Sequence, residues 1–320
     1  MDALTQLAHR IRASGALIGT SLLDPPWSLQ LDERPSLTVV APLRGRAWLH
    51  TQDGPPVLLE ERDLALVRGP EPFTVASDPD PAAPPRFTYR ADGGVADDAG
   101  RLLPDEDVTL ALRTCGQRLD AENALISGSF RAIGRLTRRL LDALPRRILV
   151  PRPQQHRVPM ELLEAELRRD EPGQQAVLDR VLDLVLIGAL RDAAMGQEDA
   201  AALPGWLSAT GDPVIGPALE AIHGDPGRAH SVESLAAASG VSRAAFARRF
   251  SAALGQAPIA YLTQWRLCLA ADLLVEEEAT LESIAGRVGY SSAFALSTAF
   301  HREFAVRPAR YRARESAAIQ

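Results

Sequence analysis

Two nine-residue segments of this 320-residue chain share one spacing: "SLAAASGVS" (Ser234–Ser242) and "SIAGRVGYS" (Ser283–Ser291). Ala236 precedes Gly240 by four residues, Ala285 precedes Gly289 by four, and the units lie 49 residues apart. A small residue lets two helices approach closely, and a glycine permits a left-handed turn between them. A polar residue after the turn caps the next helix. This spacing predicts a helix-turn-helix, and its recurrence in phase makes the C-terminal part an all-helical domain with two such units.

The second helix of each unit is the one expected to enter a DNA groove. In "VSRAAFARRF" the buried face takes Val241, Phe246 and Phe250, which leaves Ser242, Arg243, Ala244, Ala247, Arg248 and Arg249 on the other faces. Arginine suits this place because its fork pairs bidentately with guanine or clamps a phosphate. In "SSAFALSTAFHREF" Leu296 and Phe300 point inward, leaving Ser292, Ala293, Ser297, Thr298, His301 and Arg302 for DNA. The plainer alternative is that Arg243, Arg248 and Arg249 form a solvated face. Between the units, "PIAYLTQWRLCLAADLLVEE" predicts a long helix starting at Pro258, a rigid spacer that can set two readers about one DNA turn (~34 Å) apart. Cys268 lies within it as a packing residue.

Charge is placed unevenly. All 35 basic residues are arginine and the net charge is −6, yet residues 229–320 carry 10 arginines against 8 acids, while the preceding residues carry 25 against 33. The acidic part is therefore N-terminal, and the C-terminal end is the one suited to a polyanion. The length predicts two domains. The N-terminal "MDALTQLAHRIR" lacks the apolar core of a signal peptide, and the run "VLDLVLIGAL" is broken by Asp183 and too short to span a bilayer. A cytoplasmic protein with no membrane partner is expected. Two cysteines, Cys115 and Cys268, are too few for a disulfide framework.

Up to about Arg90 the pattern is strand-like. "LTVVAPL", "RAWLH", "PVLLE", "DLALVRG" and "FTVAS" are short apolar or alternating runs separated by Gly, Pro and Asp clusters, as in a small antiparallel barrel or sandwich. A long loop follows, after which "VTLALRTCGQ" is expected to return as a strand. From Ser129 the period becomes helical in "FRAIGRLTRRLLDAL", "VPMELLEAELRRDEPG" and "QQAVLDRVLDLVLIGALRDAA". The broad apolar face of the last helix serves either its own domain or a second subunit. "ALPGWLSATGDPVIGPAL" reads as a connection. The class is thus α+β, with domains expected at 1–200 and 229–320 and a linker at 201–228.

Residues 230–314 resemble the DNA-binding domain of the AraC/XylS family of bacterial transcription regulators. The matching stretches are "SLAAASGVSRAAFARRFSAALGQAPIAYLTQWRLCLAADLL" and "IAGRVGYSSAFALSTAFHREFAVRPARYR". The resemblance implies that Arg243, Ala244, Ala247 and Arg248 face the groove in the first reader, and Ala293, Ser297 and Thr298 in the second. It also marks a departure: the family often has an arginine where this chain has Thr298, and polar residues where it has Ala293 and Phe294. Less specifically, residues 10–150 resemble the cupin-like barrel that many family members place first. Metal-binding cupins carry an HxH pair with a later Glu and His; here His50 stands alone and the chain reads "RGPEPF" after the turn, so no metal and no cofactor is expected.

The resemblance implies a sequence-specific regulator that responds to a small molecule or chemical signal at its cupin-like domain. Its expected partners are double-stranded DNA, a second copy of the chain through the helices at about 130–200, and RNA polymerase if it activates. Trp27, Trp48 and Phe73 are candidates to line the effector site. Cys115, which follows Arg113 closely, is a candidate redox sensor with a lowered thiol pKa. No catalytic constellation is present, so an enzyme is not expected. The alternatives are a cupin enzyme fused to a DNA-binding domain, or an interaction module that no longer reads sequence.

Overall fold

The computed structural model describes residues 3–12, 18–80, 86–151, 157–195 and 203–319; part of the "SDPDPAAPP" turn cluster lies outside them. Two compact units emerge whose membership does not follow chain order. One gathers Met1–Arg10, Ile133–Ala143 and Ala201–Gln320; the other comprises Ile11–Ala132 and Leu144–Ala200.

The chain opens with α1 (Ala3–Arg10) of the helical unit and passes into the sheet unit at β1 (Ile11–Arg12), β2 (Ile18–Leu23), β3 (Ser28–Asp32) and β4 (Leu37–Arg44). Then come β5 (Ala47–His50), β6 (Val57–Leu59), β7 (Leu64–Arg68), β8 (Phe73–Ala76), β9 (Phe87–Arg90) and β10 (Val95–Asp97). A short helix α2 (Asp105–Val108) leads to β11 (Thr109–Ala111), β12 (Thr114–Gly116) and the long β13 (Asn123–Ala132). The chain next contributes α3 (Gly134–Asp142) to the helical unit. It returns as β14 (Arg147–Val150) and completes the sheet unit with α4 (Arg157–Leu167) and α5 (Gln174–Met195).

The strands make two sheets, ordered β11-β12-β2-β13-β4-β7-β14, with β1 beside β13, and β10-β9-β3-β8-β5-β6. All pairings are antiparallel except β12 with β2 and β3 with β9. The core lies where both sheets meet: Val40, Ala65, Val67 and Leu125 of the first join Leu29, Leu31, Leu49, Phe73 and Val75 of the second. This is the cupin-like architecture as two packed sheets rather than a closed barrel. β4 is buried over six consecutive residues, Leu37 to Pro42, which explains why "LTVVAP" is apolar at every position but Thr38 instead of alternating.

Three local features differ from the sequence expectation. Phe130–Ala132, read as the start of a helix, ends strand β13, and helical structure begins only at Gly134. Within β13, Gly128 lies under α5: a Cβ there would stand 2.9 Å from Leu182 Cδ2, so the glycine gives the Leu182 side chain room against the sheet. The expected strand "VTLALRTCGQ" is divided into α2, β11 and β12, with Arg113 at a positive φ of 53° between the last two. The stretch read as a connection folds into α6 (Gly205–Ser208), a 3₁₀ turn (Ala209–Gly211) and α7 (Gly216–Gly224), which bury Trp206, Leu207, Ile215, Leu219 and Ile222.

The rest of the helical unit is α8 (Val232–Ala238), α9 (Arg243–Leu254), α10 (Pro258–Glu276), α11 (Leu281–Arg287), α12 (Ala293–Phe304) and α13 (Pro308–Ile319). The spacer helix α10 starts at Pro258 as expected and carries two cores. Tyr261 and Trp265 near its start pack with His223 of α7 and Phe250 of α9. Leu267, Ala270, Ala271 and Leu274 further on pack with Ile284, Leu296, Phe300 and Tyr311.

Candidate nucleic-acid interface

Both helix-turn-helix units are built by the same local chemistry. Ser231 and Ser234 form a reciprocal capping box at the start of α8, and Thr280 Oγ1 accepts from the Ser283 amide at the start of α11. Gly240 and Gly289 then turn the chain at φ of 67° and 78°. The two glycines are not equivalent. A Cβ at Gly240 meets open space, whereas one at Gly289 falls 2.6 Å from the Gly227 carbonyl oxygen and 2.7 Å from the Arg266 guanidinium.

Helices α9 and α12 start at serines. Ser242 Oγ accepts from the Ala245 amide at 3.3 Å, and Ser292 Oγ from the Ala295 amide at 3.2 Å. The first helices and turn glycines repeat at 49 residues, but the reader caps repeat at 50. Ser291, the last residue of the sequence repeat, belongs to the turn, and Ser292 is the cap. Arg243, Ala244, Ala247 and Arg248 thus correspond in helix position to Ala293, Phe294, Ser297 and Thr298.

Helices α9 and α12 bury Phe246 and Phe250, and Leu296 and Phe300, respectively, all fully enclosed. On their outer faces Ser242, Arg243, Ala244, Arg248 and Arg249 are exposed and Ala247 is half-buried; on α12 Thr298, His301 and Arg302 are exposed, with Ser292, Ala293 and Ser297 half-buried. The three arginines of α9 differ in what holds them. Arg243 pairs with Glu233 of α8 at 2.6 Å. Arg249 pairs with Asp212 at 2.9 Å. Arg248 is exposed and has no acidic partner among the described residues. Desolvation works against the Asp212 carboxylate, but amide bonds from Ile215 and Val214 together with Arg249 hold its pKa below the usual value. Arg249 therefore ties α9 to the 3₁₀ turn, a tether that the sequence does not reveal.

Another group the sequence does not reveal is Asp272, buried on α10. Its Oδ1 accepts from the Arg135 amide and its Oδ2 from the Leu136 amide at 3.2 Å, so it caps α3, whose own cap residue Ile133 has no side-chain acceptor. Arg135 also donates from Nε to the Tyr311 hydroxyl at 3.2 Å and lies over the Phe304 and Tyr311 rings. Arg139 lies over Tyr261. Cys268, beside these groups, is buried, and burial pushes its thiol pKa up to about 11.

In the sheet unit two of the four proposed sensor residues, Trp27 and Phe73, share one core, and Trp48 and Cys115 are not members of it. Trp27 is buried and donates from Nε1 to Asn123 Oδ1 at 2.8 Å, and Phe73 packs in the same inter-sheet core. Trp48 is half-buried on β5. Cys115 borders an apolar cavity of about 10 Å³ that shares Leu23, Leu29, Phe87 and Tyr89 with that core and is completed by Val95, Val108 and Gly116. Its thiol pKa is raised by burial, against the opposing effect of hydrogen bonds with Tyr89 and Thr109, contrary to the lowered value expected from Arg113. The Arg113 guanidinium goes instead to Gln174 and Gln175, bonding the Gln175 Oε1 at 2.6 Å. Both cysteines are free thiols. Among the described residues no three His, Cys, Asp or Glu side chains are grouped to hold a metal ion, and no helix is long and apolar enough to cross a membrane.

Known proteins match both units. Residues 2–194 match the family described as Cupin and residues 235–314 the one described as Helix-turn-helix domain. A putative AraC-like transcription regulator from Streptomyces lividans is 35% identical over 318 residues, 97% of this chain and 96% of its own. The transcriptional regulator AlkR of Acinetobacter baylyi is 36% identical over 179 residues, 54% of this chain and 58% of its own. The solved DNA-binding domain of AdpA in complex with a target DNA is 34% identical, covering 33% of this chain and 96% of that one, with a TM-score of 0.32. Identity at this level along nearly the whole length, with a cupin match followed by a helix-turn-helix match, makes this chain a member of the AraC-type family of DNA-binding transcription regulators.

Proposed function

We propose that this regulator reads a specific duplex sequence with α9 and α12 and is controlled by a signal received in residues 1–200, with residues 229–320 as the reading part and 201–228 between them. The observation that carries the reading is the build of the two readers. Each has its inner face locked by fully buried rings or aliphatics and a serine at its start; outward α9 carries polar or small residues and α12 the same with one exposed ring, Phe294, and both pack on one spacer helix, α10. Arg248, exposed and unpaired by acid among the described residues, is the base reader; Arg243 is released from Glu233 by a phosphate or a base, and Arg249 positions the helix. Ser242, Ser292, His301 and Arg302 contact the phosphates.

The cupin domain acts as a receptor and not as a catalyst, a reading supported by relatives that are transcription regulators. The Cys115 cavity is where a small, mostly apolar effector enters, and at about 10 Å³ it must open to admit one. Helix α3 is the covalent route for the signal, because it lies in sequence directly between β13 and β14 and is capped by Asp272 of the spacer helix. A second copy of the chain packs on α4 and α5, where Val158, Leu162, Val177 and Leu184 are exposed on the same helical hairpin. The protein works in the cytoplasm and, as an activator, would recruit RNA polymerase.

Fluorescence anisotropy of the full-length protein on the duplex upstream of its own gene, with random duplex as competitor and a salt series, tests the reading. The upstream duplex is expected to bind at least tenfold more tightly than random sequence, with affinity falling as salt rises. Equal affinity for both duplexes would favour an interaction module that does not read sequence.

A further inference from the structure

Phe294 is 83% exposed, the most exposed large apolar side chain among the described residues, and it stands in the first turn of α12. It takes no part in the core that Leu296 and Phe300 build beneath the same helix. Counted from the serine caps, it is the counterpart of Ala244 in α9, one of the outward positions of the first reader.

The two outer faces therefore offer DNA different chemistry. The face of α9 presents Arg243 and Arg248, whose forks suit guanine. The corresponding positions of α12 are Ala293 and Thr298, and neither can make such a fork. The Thr298 hydroxyl donates to the Phe294 carbonyl oxygen at 3.0 Å, which turns that donor back into the helix. The Ala293 amide is taken by Glu282 Oε2 at 3.0 Å. What remains prominent at the start of α12 is a phenyl ring. In the major groove the apolar group a base pair offers is the thymine C5-methyl, and phenylalanine is one of the side chains that contact it. A ring left in water in the free protein gains apolar contact on binding, so the contact favours thymine over the other three bases.

We infer that Phe294 is a specificity-determining residue: it reads thymine methyl groups, so the part of the site under α12 is A·T-rich while the part under α9 contains guanine. This rests on the reading of α9 and α12 as groove readers.

The test is a selection of duplexes from a random library by the full-length protein, repeated with Phe294→Ala, followed by binding to the selected duplex with thymines replaced by deoxyuridine. Arg248→Ala marks which half lies under α9, because that half loses its guanine preference. In the other half, each replacement at a contacted thymine is expected to weaken wild-type binding about fourfold, the worth of one buried methyl group, and to leave Phe294→Ala nearly unchanged. Replacements in the α9 half should affect both proteins alike. If deoxyuridine weakens Phe294→Ala as much as wild type, or weakens neither, the inference is overturned while sequence reading by α9 stands. It is overturned in the same way if Phe294→Ala changes self-association with no thymine dependence, because the ring then serves a protein contact. A selection that enriches no sequence at all overturns the groove-reader reading itself.

Discussion

Arg248→Ala in the full-length chain is expected to weaken specific DNA binding by about 1–3 kcal/mol, or roughly 5- to 150-fold, and to relax the base preference at one or two adjacent positions. The size follows from the loss of a fork that is exposed and meets no acidic side chain among the described residues. Among the described residues no internal ion pair has to be broken first, so the full contact appears in the binding energy. Arg249→Ala is the control. Its guanidinium belongs to Asp212, half-exposed, so its removal should cost under about 1 kcal/mol of stability and leave the base preference intact. Anisotropy titrations of both variants on the selected duplex and on single-base variants of it separate the two roles. A larger specificity loss at Arg249 than at Arg248 would exchange their assignments.

The second large effect is expected at Asp272. Its carboxylate is buried and satisfies two amides at the start of α3, and those amides have no alternative acceptor on their own helix. Asp272→Ala leaves one buried and one half-buried donor unpaired, which is worth about 2–4 kcal/mol. Asp272→Asn keeps an acceptor oxygen for one of them and should recover about half of the loss. Urea unfolding of the helical unit, with hydrogen exchange at the Arg135 and Leu136 amides, measures both. A loss below about 0.5 kcal/mol in the alanine variant, with those amides still protected, would show that α3 is held by its apolar face alone.

The legibility of this molecule in its sequence follows the range of the interactions. The two helix-turn-helix units were readable because everything they need lies within about 20 residues: a small residue, a turn glycine, a capping serine and inward phenylalanines or leucines. Even there, "GYSS" offered two adjacent serines, and only the geometry selects Ser292 and so brings Phe294 into the place of Ala244. β13 was obscured because Gly128 and its serine neighbours lower strand propensity, while its strandedness is fixed by β2 and β4 on either side and by Leu182 against the glycine. The amphipathic period of α3 announces a buried face but not its partner, and Asp272 lies 137 residues from the Arg135 amide it caps. Cys115 misled for a related reason. Its neighbour in sequence is Arg113, but a positive φ at Arg113 and the pull of Gln174 and Gln175 take the guanidinium elsewhere, and burial governs the thiol.

In the proposed reading α10 presents α9 and α12 to successive major grooves. Hydroxyl-radical footprinting of the full-length protein on its selected duplex tests this most directly. The predicted result is two protected segments on one face of the DNA, centred about 10 base pairs apart, the first lost in Arg248→Ala and the second weakened in Phe294→Ala. A single protected segment that both variants erode together would contradict it.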